Sequence, residues 1–214
     1  MQPSYSRDKT YFFLIIVLWI ISIIIVNHNG EFPLNGDWSY TKVVKNLIES
    51  GKLAISGWIS MPLVGQVMWG ALFCLPTGFS FLNLRISTLI LGLIGWIFAF
   101  KIVNEIYSNK EIAFLTSLII AFNPLYFNNS FTFMTDVPFT SIFIVSIYLF
   151  IKGFNSKKTK YFYLGSIFSA WASLIRQFGV LGPIVFSFVI LFSEGFKKKP
   201  ELPPKICTTG NASV

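Results

Sequence analysis

The chain has 214 residues, of which 54% are hydrophobic and 18% aromatic but only 12% charged, a composition that excludes an ordinary soluble domain and fits a multi-span membrane protein. Its net charge of +8 comes from short basic clusters lying between apolar runs, which suits a membrane-orientation signal and argues against a nucleic-acid partner. Two cysteines, Cys74 and Cys207, form neither a disulfide framework nor a metal spacing, and the single histidine, His28, argues against a His-based metal cluster or a Ser-His-Asp triad.

Arg7 and Lys9 precede an apolar run from Tyr11 to Val26. About 17 residues at 1.5 Å each reach roughly 26 Å, enough to cross a bilayer. Asn27-His28-Asn29 offers no small-residue cleavage site, so the run reads as an uncleaved signal anchor with a cytoplasmic N-terminus. Residues 28–60 are polar and rich in turns. Within them Tyr40, Val43, Val44, Leu47 and Ile48 make one apolar helical stripe, with Lys42, Lys45 and Glu49 off it, and Gly51 ends it. The expectation is a short amphipathic helix on the membrane surface, opened by Asp37. The run from Pro62 to Pro76 is short for a span and interrupted by Gly65, Gln66 and Gly70. Five clearer apolar runs follow, over 81–103, 112–127, 137–151, 161–178 and 180–196.

Basic residues decide whether 62–76 crosses. If it does not, only Lys42, Lys45, Lys52, Arg85 and Arg176 face outward, and the other 12 of the 17 lysines and arginines are cytoplasmic. If it does, only Arg7, Lys9, Arg85 and Arg176 remain inside and 13 lie outside. The positive-inside rule selects the first arrangement. The expected fold is therefore an all-α membrane protein with about six transmembrane helices, one or two juxtamembrane helices in the first outer loop, and both termini cytoplasmic.

This topology gathers Asp37, Arg85, Asp136 and Arg176 at the outer face. Asp136 is the only acid between Glu111 and Glu194, and lies in Phe131-Thr-Phe-Met-Thr-Asp-Val-Pro-Phe139 between two apolar runs. A carboxylate at the edge of a hydrocarbon layer is costly to keep ionised and marks a candidate site. Each residue also has a plain structural reading: Asp37 and Asp136 as helix N-caps, Arg176 as an interfacial arginine snorkelling to the surface. Together they could do more, because arginine pairs with phosphate oxygens and a carboxylate can act as general base for a hydroxyl.

The ordered set of outer residues resembles a known family. It comprises Gly36-Asp37-Trp-Ser-Tyr40 and its short helix, Met61-Pro-Leu63, Asn83-Leu-Arg85-Ile-Ser87, Asn123-Pro124, Thr135-Asp136-Val-Pro138, and Arg176 ending the fifth span. The chain is similar to the N-terminal half of the polytopic glycosyltransferases with the GT-C fold, in particular the protein O-mannosyltransferase and aminoarabinose-transferase-like group. The resemblance implies a catalytic base or acceptor-orienting acid at Asp37, an assisting acid at Asp136, and a donor-phosphate contact at Arg176, where the family usually has lysine, with Arg85 as a second candidate. It implies a polyprenyl-phosphate sugar donor within the lipid bilayer, a lipid, glycan or protein acceptor, and inversion at the anomeric carbon. The family often has Asp-Glu in the first loop, where this chain has Asp37-Trp38.

No cofactor is required by this reading, although two scattered acids could hold Mg²⁺ or Mn²⁺. Residues 1–196 read as the N-terminal part of such a domain and 197–214 as a cytoplasmic tail or truncation remnant. The competing class is a non-catalytic polytopic protein, such as a transporter or flippase fragment or an inactive remnant. Transporters usually bind their cargo near mid-membrane, whereas the charges here lie at span ends.

Overall fold

The structure is a computed structural model that describes residues 4–26, 29–34, 36–57 and 59–192. The expected tail, His28 and Cys207 fall outside the described residues. Among the described residues every regular element is helical: α1 (Ser4–Val26), α2 (Trp38–Ser50), α3 (Val64–Cys74), α4 (Phe81–Tyr107), α5 (Lys110–Ala121), α6 (Pro124–Ser130), α7 (Asp136–Ser156), α8 (Thr159–Ile175) and α9 (Leu181–Phe192), with a 3-10 turn at Gln177–Val180. Three helices, at Lys9–Val26, Phe81–Tyr107 and Asp136–Ser156, are long and apolar enough to cross a membrane, or up to four if α5 and α6 count as one broken span.

The break is written in the sequence at Asn123-Pro124. Asn123 caps α6 by accepting the Leu125 N–H at 3.0 Å, and Pro124, which has no N–H to offer, opens the new helix. The axis turns by 66° there. The expected crossing over 112–127 is thus a helix with a bent end.

Helices α4 and α7 form the centre, and each packs one stripe against the other while their neighbours close around them. Trp19 of α1 donates its indole N–H to Leu89 O at 3.1 Å and meets Trp96 edge-on. Trp96 in turn donates to Ser117 Oγ of α5 at 3.0 Å, so each buried indole finds its polar partner. Tyr126 of α6 donates to Gly92 O at 2.8 Å and lies 2.9 Å from Ser141 Oγ of α7. Ser146 of α7 donates to Gly165 O of α8 at 2.8 Å. Bonds of this kind join helices where an apolar solvent gives no hydrophobic drive for association. Large apolar side chains line the outside instead, with Ile25 at 74%, Leu191 at 77% and Phe192 at 79% exposure.

Helix α3 has 11 residues, about 16 Å at 1.5 Å each and roughly half the hydrocarbon thickness. Helix α2 ends at Gly51, whose φ of +67° is the left-handed turn that glycine adopts without strain. The stripe on α2 finds a protein partner. Val43 and Val44 are buried against Leu63, Val67 and Ala71, so the two short helices cover one another. The first loop is then pinned to the start of α4. Glu31 accepts Ser80 O–H at 2.6 Å on one oxygen and the Phe81 N–H at 2.9 Å on the other. The Ser80 bond leads in holding the Glu31 carboxyl below its ordinary range, against the opposing effect of burial and with help from nearby amides and Arg85.

Candidate active site at the loop between α6 and α7

The segment Phe131–Thr135 is the junction at which α3, the loop before α2 and the end of α8 meet. The Phe133 ring is fully buried and fits against Gly70 of α3, where a Cβ would come within 2.6 Å of the ring. Glycine at position 70 is therefore what lets the loop dock. The Phe133 peptide is held from both sides: its N–H donates to Asp37 Oδ2 at 3.1 Å, and its carbonyl accepts from Gln66 Nε2 at 2.9 Å. Asp37 Oδ1 accepts the Leu34 N–H at 2.8 Å. Asp37 is 1% exposed.

Two residues further on, Thr135 donates to Met61 Sδ at 3.1 Å and accepts from Arg176 Nε at 2.8 Å. Arg176 Nη2 also pairs with Asp136 Oδ1 at 2.9 Å. The side chains of this pair are 21% and 40% exposed, so the ion pair is the accessible edge of the cluster, whereas Asp37 is its sealed interior. Arg176 itself ends α8 in an extended conformation, and the Leu63 N–H reaches back to Ile175 O at 3.4 Å. Leu63 has a φ of +59°, an unfavourable conformation for a leucine, held where α3 meets the end of α8.

The plain readings of the acids do not hold. Asp37 occupies the N-cap position of α2 but makes no side-chain capping bond, because both its oxygens serve other amides. Asp136 is the first residue of α7, not its cap, and sits where a negative charge favours the helix dipole. Arg176 does not snorkel freely; it is engaged with Asp136 and Thr135. Arg85, expected beside it as a second phosphate contact, is 1% exposed. Its terminal nitrogens donate to Gly30 O at 2.9 Å and to Phe32 O, and its guanidinium lies 5.2 Å from the Phe32 ring centroid. It is close enough to Asp37 for their charges to attract. Arg85 thus braces the loop that carries Asp37.

Sequence reasoning gave Gln66 and Glu31 no part in the site, and Met61 only a place in the motif order. Gln66 carried a usable signal: an amide inside an apolar run must find a partner when buried, and this one is wholly buried. Its Nε2 has that partner in Phe133 O, while Oε1 has none among the described residues. No group of three or more His, Cys, Asp or Glu side chains gathers among the described residues.

Two short helices and a bundle with three helices long and apolar enough to cross a membrane thus carry an acid–arginine cluster at one end. Residues 60–203, more than half of the chain, match the family described as dolichyl-phosphate-mannose-protein mannosyltransferase, and the chain belongs to that family. It is also 25% identical to an uncharacterised protein of Aquifex aeolicus (strain VF5) over 190 residues, which cover 86% of this chain and 38% of that one. The chain therefore spans less than two fifths of that relative's length. No solved structure matches it.

Proposed function

We propose that the protein transfers a sugar from a polyprenyl-phosphate-linked donor to an acceptor hydroxyl at the outer membrane face, with inversion. The observation that carries this reading is the Arg176–Asp136 ion pair, half-open to the outside and joined through Thr135 and Phe133 to the sealed carboxylate of Asp37. An arriving donor phosphate competes with Asp136 for Arg176. Once Arg176 turns to the phosphate, the Thr135–Asp136 end of the loop loses its two ties to α8. The same loop covers Asp37 through the Phe133 N–H, so its release lets an acceptor hydroxyl take that place at Oδ2. Asp37 then accepts the acceptor's proton as its oxygen attacks the anomeric carbon from the side opposite the phosphate. The carbon–oxygen bond to the phosphate breaks, its electrons pass to the leaving phosphate, and Arg176 stabilises the added charge. Asp136, set free, assists at the acceptor side. The donor thus opens the site for the acceptor, which limits idle hydrolysis.

Asp136→Asn tests this competition. The variant should bind a polyprenyl-phosphate sugar more tightly than wild type, roughly three- to tenfold, because Arg176 no longer has a carboxylate to leave. It should also transfer the sugar more slowly. Titration of donor into purified protein, followed by a transfer assay, reads both. Weaker donor binding in this variant would remove the competition from the mechanism.

We infer six crossings and cytoplasmic termini from the same basic asymmetry, with α5–α6 as one bent span and α8 and α9 as two more. A cysteine introduced as Asn129→Cys should react with an impermeant thiol reagent in intact cells, and Asn155→Cys should not. The reverse pattern would put the site on the cytoplasmic side and defeat an outer-face reaction.

A further inference from the structure

At the other end of the central helices lies a second cluster that the proposed chemistry does not use. Lys101 follows Arg85 by 16 residues on α4, and Lys152 follows Asp136 by 16 residues on α7. At 1.5 Å per residue both lie about 24 Å from the acid–arginine site, at the opposite membrane interface. The two lysines converge on one ring. Lys101 Nζ is 5.9 Å and Lys152 Nζ 5.3 Å from the Tyr148 centroid, and Lys152 also donates to Tyr148 Oη at 3.0 Å. Further rings fix each ammonium: Phe98 at 4.3 Å and Phe12 at 5.7 Å for Lys101, and Tyr161 at 5.2 Å for Lys152.

Two like charges thus share the Tyr148 ring, and they repel one another. Among the described residues neither is ion-paired with a carboxylate. The nearest acid in sequence to Lys101, Glu105, accepts from Asn155 Nδ2 at 3.2 Å and attracts Lys152 without forming an ion pair with it. Because Tyr148 Oη accepts from Lys152, its own proton is available to donate. Three donors from two helices, the two lysines half-buried and Tyr148 buried, stand together among aromatic faces and suit an anion.

We propose that Lys101, Lys152 and Tyr148 form a binding site for the phosphate of an anionic phospholipid. The aromatic faces hold the ammonium groups in place, so little side-chain freedom is lost on binding. The lipid neutralises the repulsion between α4 and α7 and fastens the end of the bundle opposite the site. This does not depend on the transfer reaction.

The experiment is native mass spectrometry of the purified chain titrated with phosphatidylglycerol or phosphatidylcholine. Wild type should retain phosphatidylglycerol preferentially. Lys101→Gln and Lys152→Gln should each weaken its binding about fivefold, and together about thirtyfold. Lys101→Arg/Lys152→Arg should keep it, and Tyr148→Phe should weaken it a few-fold. Lys157→Gln/Lys158→Gln, which removes two exposed lysines at the same end, should change it less than twofold. Equal retention by wild type and the double Gln variant would overturn the proposal. So would an equal loss in the 157/158 variant, which would mean unspecific surface charge, or displacement of the lipid by millimolar inorganic phosphate, which would mean a soluble-anion site. Retained phosphatidylcholine adducts and an intact double Arg variant guard against misfolding as the cause.

Discussion

Asp37→Asn is expected to loosen the loop between α6 and α7 as well as stop transfer. An aspartate at this position accepts two backbone N–H groups, one from Leu34 and one from Phe133, on separate oxygens. An asparagine has one acceptor oxygen, so its amide NH₂ must face one of those two N–H groups. The result is a buried donor against a donor at a position 1% exposed to solvent. A charge-assisted bond of this kind contributes about 1.5–3 kcal/mol, and the unsatisfied amide adds to the loss, so about 2–4 kcal/mol is the expected destabilisation. Were the aspartate only a cap of α2, asparagine would serve nearly as well. The thermal midpoint of the purified variant should fall, and the Phe133 amide should exchange faster with solvent than in wild type. Transfer per folded molecule should drop at least about a hundredfold, because the amide cannot take the acceptor's proton. Wild-type melting and exchange would mean that these two bonds do not hold the loop. Wild-type transfer by the folded fraction would remove Asp37 as the base.

Which residues share this end of the bundle was legible from the sequence, because charge asymmetry and span length set the side on which each loop falls. Asp37, Arg85, Asp136 and Arg176 do lie at one end of the bundle, at or near the ends of α2, α4, α7 and α8. Their partners were not legible. Nothing local to Asp37 points to the Phe133 amide 96 positions away, and nothing near Glu31 points to Ser80. Such pairs are fixed by how α3 and α4 pack, and packing is a property of whole helices. Arg85 and Arg176 look alike in sequence, each a lone arginine where a span meets an interface. One is buried on backbone carbonyls and the other pairs with an acid at the accessible edge. The stripe on α2 was legible as a stripe, but its counterpart on α3 was not, because α3 is apolar nearly all round and shows no face. The bend at Asn123-Pro124 carried full local evidence, a capping side chain followed by a proline at the first helical position.

Arg176→Gln is expected to slow transfer by about a hundred- to a thousandfold, the largest loss among substitutions that leave the core intact. Its guanidinium reaches Thr135 and Asp136 together, and the planar fork that makes both contacts also suits two oxygens of a phosphate. If the group leaves Asp136 for the donor, its contact strengthens as the phosphate takes up charge, which is where such a donor contributes about 2.7–4 kcal/mol. The ion pair itself is partly exposed, so losing it costs stability only on the order of 1 kcal/mol or less. Folding and transfer therefore separate at this position, unlike at Asp37. Arg176→Lys keeps a point charge and should retain partial transfer, with donor binding between wild type and the Gln variant. Donor-dependent transfer compared at matched amounts of folded protein decides the matter. If the Gln variant turns over like wild type, the Arg176–Asp136 pair is a structural clasp. The donor phosphate would then need another cation, and Arg85 could supply it only by giving up the carbonyls of Gly30 and Phe32.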